Sequence, residues 1–138
     1  AQRMARHRPV ALRHVDGHLY WSSPEPSASQ SLWMRALGRL PDDPLVQAAA
    51  LAYCSDYTLL EPILRRHEIP WAERRLRIAS LDHAMWFHRP GRIDDWVLYS
   101  QESPSATSGR GLGIGRMFAR DGQLLATVAQ EGMVRIKD

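Results

Sequence analysis

The chain has 138 residues, of which 44% are hydrophobic and 24% are charged, and its formal net charge is +3 at pH 7. This length and composition are typical of a globular protein with one substantial core, so we predict a single domain over residues 1–138. No apolar run approaches the roughly 20 residues of a membrane-spanning helix and no signal peptide opens the chain, which predicts a cytoplasmic location. Cys54 is the only cysteine, so an internal disulfide and a thiolate metal cluster are excluded and a core position is expected.

The positive charge comes almost entirely from arginine, because Lys137 is the only lysine. The arginines form two short clusters, at positions 3, 6 and 8 and at positions 74, 75 and 77. Neither cluster is interleaved with aromatic residues as a nucleic-acid stacking surface would be, so we expect a solvated face or a site for an anionic small molecule. Residues 1–9 are expected to fray. The chain begins with Ala1 rather than Met, as expected of a fragment or a processed half of a longer protein.

Residues 41–66 predict one long, almost wholly apolar helix around which the rest of the chain is organised. Asp43 is suited to cap the free backbone donors and Pro44 suits the first helical position, so the helix is expected to begin near Pro44. Residues 45–57 are apolar or small on all sides, which is typical of a helix that is buried on most of its surface. Asp56, a single acid in the middle of this segment, is the exception to the pattern.

Pro62 interrupts the second half of the predicted helix. A proline cannot donate a hydrogen bond to the carbonyl of Thr58, so the helix should kink or restart at this point. Thr58 and Glu61 have the spacing of a capping box, which favours a restart.

The segments on either side of the helix have the patterns of strands and turns. Residues 10–21 predict one or two short strands around an Asp16-Gly17 turn, residues 22–29 a loop, and residues 30–37 a strand. Four further extended segments follow the helix, at residues 74–88, 96–105, 110–120 and 123–136. Asp121-Gly122 predicts a hairpin between the last two, and residues 89–91 predict a turn. This order predicts a curved antiparallel sheet wrapped around one helix, in the α+β class.

Three polar residues are predicted on faces that should be apolar. Asp56 interrupts an apolar helix stripe with three and four spacing. Ser80 shares an inward strand face, which Asp82 would follow if the alternation holds, and Gln130 alternates with core residues of the last strand. A buried unpaired polar group costs roughly 1–3 kcal/mol, so these groups should be satisfied by each other, by water or by a ligand. Two interpretations stay open: a polar network that only fixes the packing, or a site that holds and deprotonates one water.

Other patterns are weaker candidates for chemistry. The four glycines of residues 109–115 look like a phosphate loop, but a strand follows them instead of a helix, so we expect them to allow bending or close backbone approach. His83 and His88 are five residues apart on a predicted strand, hence on opposite faces, which argues against a shared metal. Ser80, Asp82 and His83 are too close along one strand to form a nucleophilic triad.

Four segments carry a resemblance to a known family: residues 51–60 (LAYCSDYTLL), 78–90 (IASLDHAMWFHRP), 96–111 (WVLYSQESPSATSGRG) and 121–135 (DGQLLATVAQEGMVR). In this order they resemble the C-terminal half of the acyl-CoA thioesterase II family, and the string LDHAMWFHRP is the most distinctive. The resemblance implies a double hotdog fold, in which each half is a long central helix wrapped by an antiparallel sheet.

The family resemblance also implies an activity and a set of site residues. Family members hydrolyse acyl-CoA to a free fatty acid and coenzyme A, using an acid, a hydroxyl and a glutamine to activate water. By position these fall on Asp56 in the S-D motif, on Ser80 two residues before the D-H pair, and on Gln130 in Val-Ala-Gln-Glu-Gly. No cofactor is implied, because coenzyme A enters as part of the substrate. Arg110 is a candidate contact for the coenzyme A phosphates, from its charge and the glycine-rich strand.

One departure from the family concerns length. Family members carry two hotdog halves and this chain has one, so a second hotdog unit is expected as a partner, either an N-terminal half or another copy in an oligomer. A non-catalytic half that binds acyl-CoA or serves assembly is therefore an alternative function. A hotdog hydratase is a third, but it needs an Asp and His pair near the helix, and no such spacing is present.

Overall fold

The computed structural model describes residues 8–22 and 25–138. The predicted fraying of residues 1–9 falls mainly on residues 1–7, outside the described residues; the carbonyl of Pro9 accepts a hydrogen bond from Leu37 N at 2.8 Å. The elements in chain order are β1 (Val10–His14), β2 (Ser29–Ala36), α1 (Pro44–Ser55), α2 (Glu61–Arg66), β3 (Leu76–Ser80), β4 (Ala84–Phe87), β5 (Val97–Thr107), β6 (Arg110–Ala119) and β7 (Leu124–Ile136). No helix of the described residues is long and apolar enough to cross a membrane.

The strands form a seven-stranded antiparallel sheet in the order β1-β2-β5-β6-β7-β3, with β4 also paired to β7. One edge of β7 pairs with β6. Its other edge pairs with two strands, with β3 over residues 132–136 and with β4 over residues 126–129. The predicted hairpin between β6 and β7 is confirmed, and its Gly122 has a φ of +92°, which glycine adopts without a steric penalty.

The extended segment predicted over residues 74–88 is in fact two strands, separated by residues 81–83. At this break Leu81 N donates to Glu131 O at 2.9 Å, and Glu131 N donates to the carboxylate of Asp82 at 2.6 Å. The side chain of Asp82 thus takes the place of a backbone acceptor. The predicted inward position of Asp82 after Ser80 is therefore wrong, because the alternation stops where β3 ends.

Helix α1 begins as the sequence predicts. Pro44 is in its first turn, and Asp43 accepts a hydrogen bond from Leu45 N at 2.9 Å. Its end differs from the prediction, because the helix stops at Ser55 and Asp56 is the C-cap residue with αR backbone angles. Asp56 therefore lies at a helix terminus and not in the middle of a longer helix.

The chain becomes helical again at Glu61, with Pro62 in the first turn of α2. The predicted restart is confirmed, but the capping box is wrong, because the N-cap residue is Leu60 and has no side-chain capping bond. The Thr58 hydroxyl instead accepts from Gln101 Nε2 at 2.7 Å. The carboxylate of Glu61 turns into the protein and is buried.

The core lies between one side of α1, the α1–α2 connection and the concave face of the sheet. Its buried hydrophobic residues include Leu32, Met34, Leu51, Cys54, Leu59, Val97, Tyr99, Met117, Ala126 and Val128. Two glycines of β6 allow the connection and α2 to approach the sheet: a Cβ on Gly113 would lie 2.3 Å from the carbonyl oxygen of Leu59, and one on Gly111 would lie 2.4 Å from the side chain of Ile63 in α2. This confirms close backbone approach as the reason for glycines in this strand.

The opposite side of α1 is not covered by the described residues. Leu45 is 79% exposed and Tyr53 is 58% exposed, and Ala49 between them is also exposed. The prediction that this helix is buried on most sides is therefore wrong within the chain, because the sheet covers one side only. Asp56 continues this exposed row at helical spacing, so it follows an open apolar face and not a buried one.

Candidate active site

Three elements bring the three predicted site residues together. Asp56 follows α1, Ser80 ends β3, and Gln130 lies in the middle of β7. Gln130 Nε2 donates to Asp56 Oδ1 and to Ser80 Oγ, both at 2.7 Å, and Ser80 Oγ is 3.3 Å from Asp56 Oδ1. The two protons of the Gln130 amide group are thus both used, one on the acid and one on the hydroxyl.

The burial of these residues differs. Gln130 is 1% exposed, whereas Asp56 and Ser80 are exposed. The expectation of three buried polar groups is therefore wrong for two of them, since β3 is an edge strand and α1 is covered on one side. Within the part of the chain that the structure describes, Asp56 Oδ2 has no hydrogen-bond donor. The acid is held through one oxygen and presents the other to solvent.

His83 is a fourth member of the site, and the sequence reasoning missed it. Its Nδ1 is in hydrogen-bond contact with Gln130 Oε1, and its Nε2 lies 2.9 Å from Ser55 Oγ. Strand alternation places residue 83 on the opposite face from Ser80, but the break between β3 and β4 turns both toward Gln130. The spacing used to argue against an Asp and His pair therefore failed, because Asp56 and His83 lie on either side of the Gln130 amide.

These groups line an open cavity of about 610 Å³ beside the exposed side of α1. The lining residues are Ala52, Tyr53, Asp56, Tyr57, Ser80, His83 and Gln130. Tyr57 donates to the Tyr53 hydroxyl at 3.0 Å, and burial together with this hydrogen bond raises the pKa of Tyr57 to about 12. Its phenol is therefore uncharged at neutral pH. The cavity has one wall of aromatic and small side chains and one wall of polar groups.

The hydroxyl and thiol groups near the cavity do not form an activated nucleophile. Ser55 contacts His83, but it is fully buried and donates to Ala52 O at 2.7 Å. Burial raises the pKa of the Cys54 thiol to about 11, so it is not a thiolate at neutral pH. Among the residues that the structure describes, Ser80 Oγ contacts Gln130 and Asp56 but no histidine.

Two other candidates lie away from the cavity. The guanidinium of Arg110 is 3.5 Å from Glu131 Oε1, and the strand alternation places both on the sheet face opposite Gln130. His88 contacts the Thr127 hydroxyl at 2.8 Å. The structure therefore does not bring Arg110 or His88 to the site.

The fold and the site together define a protein of the hotdog class. The acyl-CoA thioesterase II TesB2 of Mycobacterium marinum superposes with a TM-score of 0.81 at 44% identity, over 97% of this chain and 52% of that chain. A hot dog fold protein of Alicyclobacillus acidocaldarius superposes with a TM-score of 0.71 at 20% identity, over 94% of this chain and 47% of that one. The predicted α+β hotdog architecture is confirmed.

The family follows from the sequence matches. The family model for acyl-CoA thioesterases matches residues 6–133, and the chain belongs to that family. It is 35% identical to acyl-CoA thioesterase 2 of Haemophilus influenzae over 137 residues, which is 99% of this chain and 48% of the relative. The chain thus spans about half the length of the curated relatives it matches.

Proposed function

We propose that residues 1–138 form one hotdog unit of an acyl-CoA thioesterase, which hydrolyses fatty acyl-CoA to a free fatty acid and coenzyme A. The observation that carries the proposal is the buried Gln130 amide, which bridges Asp56 and Ser80 at an open cavity. An acid held through one oxygen, with the other free to receive a proton, is the arrangement that a general base needs.

The reaction uses water and no covalent intermediate. A water bound at Asp56 Oδ2 gives a proton to the carboxylate as its oxygen attacks the thioester carbonyl carbon. The tetrahedral intermediate then collapses, the bond between carbon and sulfur breaks, and the coenzyme A sulfur leaves with the electron pair. The protonated Asp56 returns its proton to that sulfur. A positioned general base contributes roughly 10²- to 10⁴-fold to the rate.

Gln130 and Ser80 orient the base and the water. The amide fixes Asp56 Oδ1, so Oδ2 is directed to the cavity, and the Ser80 hydroxyl completes the polar wall. The acyl chain packs on the wall that Ala52 and Tyr53 form. Coenzyme A enters with the substrate, and no other cofactor takes part. Arg110 as a contact for its phosphates and a cytoplasmic location stay predictions from the sequence.

A second hotdog unit completes the site by covering the surface that this chain leaves open. Large hydrophobic side chains are exposed on α1 and around β4: Leu45 79%, Tyr53 58%, Leu81 55%, Trp86 53% and Phe87 51%. Exposed apolar side chains of this kind mark an interaction site. Phe87 of β4 lines the same groove as Ala48 and Leu51 of α1, and β3 and β4 are edge strands of the sheet. Sedimentation analysis is expected to show a dimer or larger oligomer that Phe87→Asp weakens, because Phe87 lies beside α1. A monomer at all concentrations with full hydrolytic activity would overturn this part of the proposal.

A non-catalytic half that binds acyl-CoA is the second candidate. The exposed side chains of Leu45 and Tyr53 favour this function. A site that is open to solvent on one side does not exclude bulk water, so it does not hold one water in position for attack. Binding of acyl-CoA without turnover, by the chain in its native oligomeric state, would select this function.

The experiment measures thiol release from a panel of acyl-CoA esters. Asp56→Asn and Gln130→Leu are compared with the parent, and Asp95→Asn serves as the control at an exposed aspartate that pairs with Arg120. We expect the first two to lose roughly 10²-fold or more of the rate, and the control to match the parent. Undiminished turnover in Asp56→Asn would contradict the proposed mechanism.

A further inference from the structure

We propose that His83 is a positioning residue, which fixes the Gln130 side chain with Nε2 toward Asp56 and Ser80. The inference rests on the proposed function, because it concerns the group that orients the base. The observation behind it is that the imidazole is the partner of Oε1, on the side of the amide away from the acid.

A glutamine amide fits a site of its shape in either of two orientations, and only its partners decide between them. In one orientation Nε2 donates to Asp56 Oδ1 and to Ser80 Oγ at 2.7 Å. In the other, the acceptor Oε1 would face the carboxylate. Asp56 selects the first orientation while it is ionised, but not after it has taken the proton from water, since a protonated acid can donate to Oε1.

His83 selects the orientation independently of the acid. Oε1 of Gln130 can only accept, so the His83 Nδ1 in contact with it carries the proton. A flipped amide would turn its own donors toward that N–H. The His83 imidazole therefore keeps the Nε2 atom of Gln130 directed at Asp56 and Ser80 throughout the reaction cycle.

The ring itself is anchored to the helix that carries the acid. His83 Nε2 lies 2.9 Å from the hydroxyl of Ser55, which is fully buried; with the ring proton on Nδ1, Nε2 is an acceptor, and the one Ser55 hydroxyl proton can rotate to it or to Ala52 O at 2.7 Å. Ser55 directly precedes Asp56. The series of contacts from Ser55 through His83 and Gln130 to Asp56 therefore begins and ends at the C-terminus of α1. On the other side, the Asp82 carboxylate on Glu131 N sets the strand break that turns His83 inward.

The test compares two side chains of similar size at position 83. His83→Leu removes the donor and is expected to lower kcat roughly 10- to 100-fold, the cost of one unpaired buried acceptor, with little change in KM. His83→Asn can place its amide donor where Nδ1 lies, and should recover most of the lost rate. His88→Leu is the matched control, because the His88 ring contacts the Thr127 hydroxyl away from the cavity, and it is expected to behave as the parent.

Nitrogen-15 NMR gives a readout that does not depend on turnover. We expect Nδ1 of His83 to carry a proton, and the side-chain amide protons of Gln130 to shift in His83→Leu and return toward the parent positions in His83→Asn. An unprotonated Nδ1, or Gln130 signals unchanged in His83→Leu, would overturn the proposal. Equal rates in the Leu and Asn variants would overturn it as well. Full activity in Asp56→Asn would instead reject the proposed function, so the two failures are distinguishable.

Discussion

Two polar clusters with similar side chains lie at opposite ends of the α1–α2 connection. The outer cluster is the candidate site, made of Asp56, Ser80, His83 and Gln130. The inner cluster lies beneath α2 and is made of His14, Gln30, Glu61, Arg65 and Trp71. Each contains an acid, a glutamine and a histidine, so residue types do not distinguish them.

The inner cluster satisfies its acid from every side. Glu61 accepts from Trp71 at 2.9 Å on one oxygen, and on the other it accepts from Gln30 at 2.9 Å and contacts His14 at 3.1 Å. Burial would raise the pKa of Glu61, but the hydrogen bonds from His14, Gln30 and Trp71 outweigh it and hold the pKa below its ordinary value of 4.5. A buried acid with hydrogen-bond partners on both oxygens offers no free oxygen to a substrate or a water.

The outer cluster leaves one oxygen of its acid open to a cavity. There the buried Gln130 amide donates to Asp56 Oδ1, and among residues 8–22 and 25–138 no donor contacts Asp56 Oδ2. The comparison teaches that incomplete pairing at an exposed acid, and not the presence of the acid, separates a candidate active site from a structural network.

The two clusters are distinguished most clearly by replacing the acid of each with its amide, in Asp56→Asn and in Glu61→Gln. Asp56→Asn is expected to lower hydrolysis roughly 10²- to 10⁴-fold, and to change the free energy of unfolding by less than about 0.5 kcal/mol because the residue is exposed. Thiol release and urea denaturation on the same samples measure both quantities. A loss of stability equal to that of Glu61→Gln would remove the distinction between the clusters.

Arg65 tests the inner cluster alone. It is 1% exposed, and its guanidinium serves three acceptors: Gln30 Oε1, Asp16 O and Gly17 O. Arg65→Met is expected to lower the free energy of unfolding by about 3 kcal/mol, because these acceptors lose their donor. Arg66→Met, at the exposed neighbouring position, is the control and should match the parent in urea denaturation. Equal stability of the two variants would contradict this role for Arg65.

The lowered pKa of Glu61 predicts how the free energy of unfolding depends on pH. Its folded pKa is lowered relative to the unfolded chain, so its contribution is fully present above the ordinary value of 4.5 and is lost as pH falls through the folded pKa. Glu61→Gln should therefore be less stable than the parent at pH 7, by about 2 kcal/mol, and the difference should shrink below pH 4. Denaturation at pH 7, 5 and 3.5 checks this. A constant difference would show that the charge of Glu61 does not contribute.

Ser80 is expected to give the smallest effect, within the outer cluster. Ser80→Ala removes one of the two acceptors of the Gln130 amide but leaves the bond to Asp56, so we expect a loss of roughly 10-fold in kcat, as for one hydrogen bond. Ser80→Thr keeps the hydroxyl and is expected to retain most of the rate. A loss in Ser80→Ala as large as in Asp56→Asn would show that the serine takes a more direct part in the reaction.

The sequence was sufficient to predict features that depend on local chemistry. The start of α1 at Pro44 follows from its cap, the hairpin at Asp121-Gly122 from its turn residues, and the convergence of Asp56 and Gln130 from periodicity together with the family resemblance. Each of these depends on residues that are close in sequence or on a regular spacing.

The features that could not be predicted depend on tertiary contacts. His83 reaches the site because Asp82 replaces a backbone acceptor of β7, and no periodicity encodes such a break. Thr58 and Glu61 have the spacing of a capping box, but both side chains instead accept hydrogen bonds from buried glutamines of distant strands. The apolar residues of α1 predict a covered helix, but they do not show whether the covering surface belongs to the same chain.

The origin of the product oxygen tests the central claim most directly. The protein, in excess over acyl-CoA, is allowed one turnover in water enriched in oxygen-18, and both the fatty acid and the peptide that contains Asp56 are weighed by mass spectrometry. General-base attack by water predicts one solvent oxygen in the fatty acid and none in Asp56. Oxygen-18 in the Asp56 carboxylate, with unlabelled fatty acid from the first turnover, would show a covalent anhydride and contradict the mechanism.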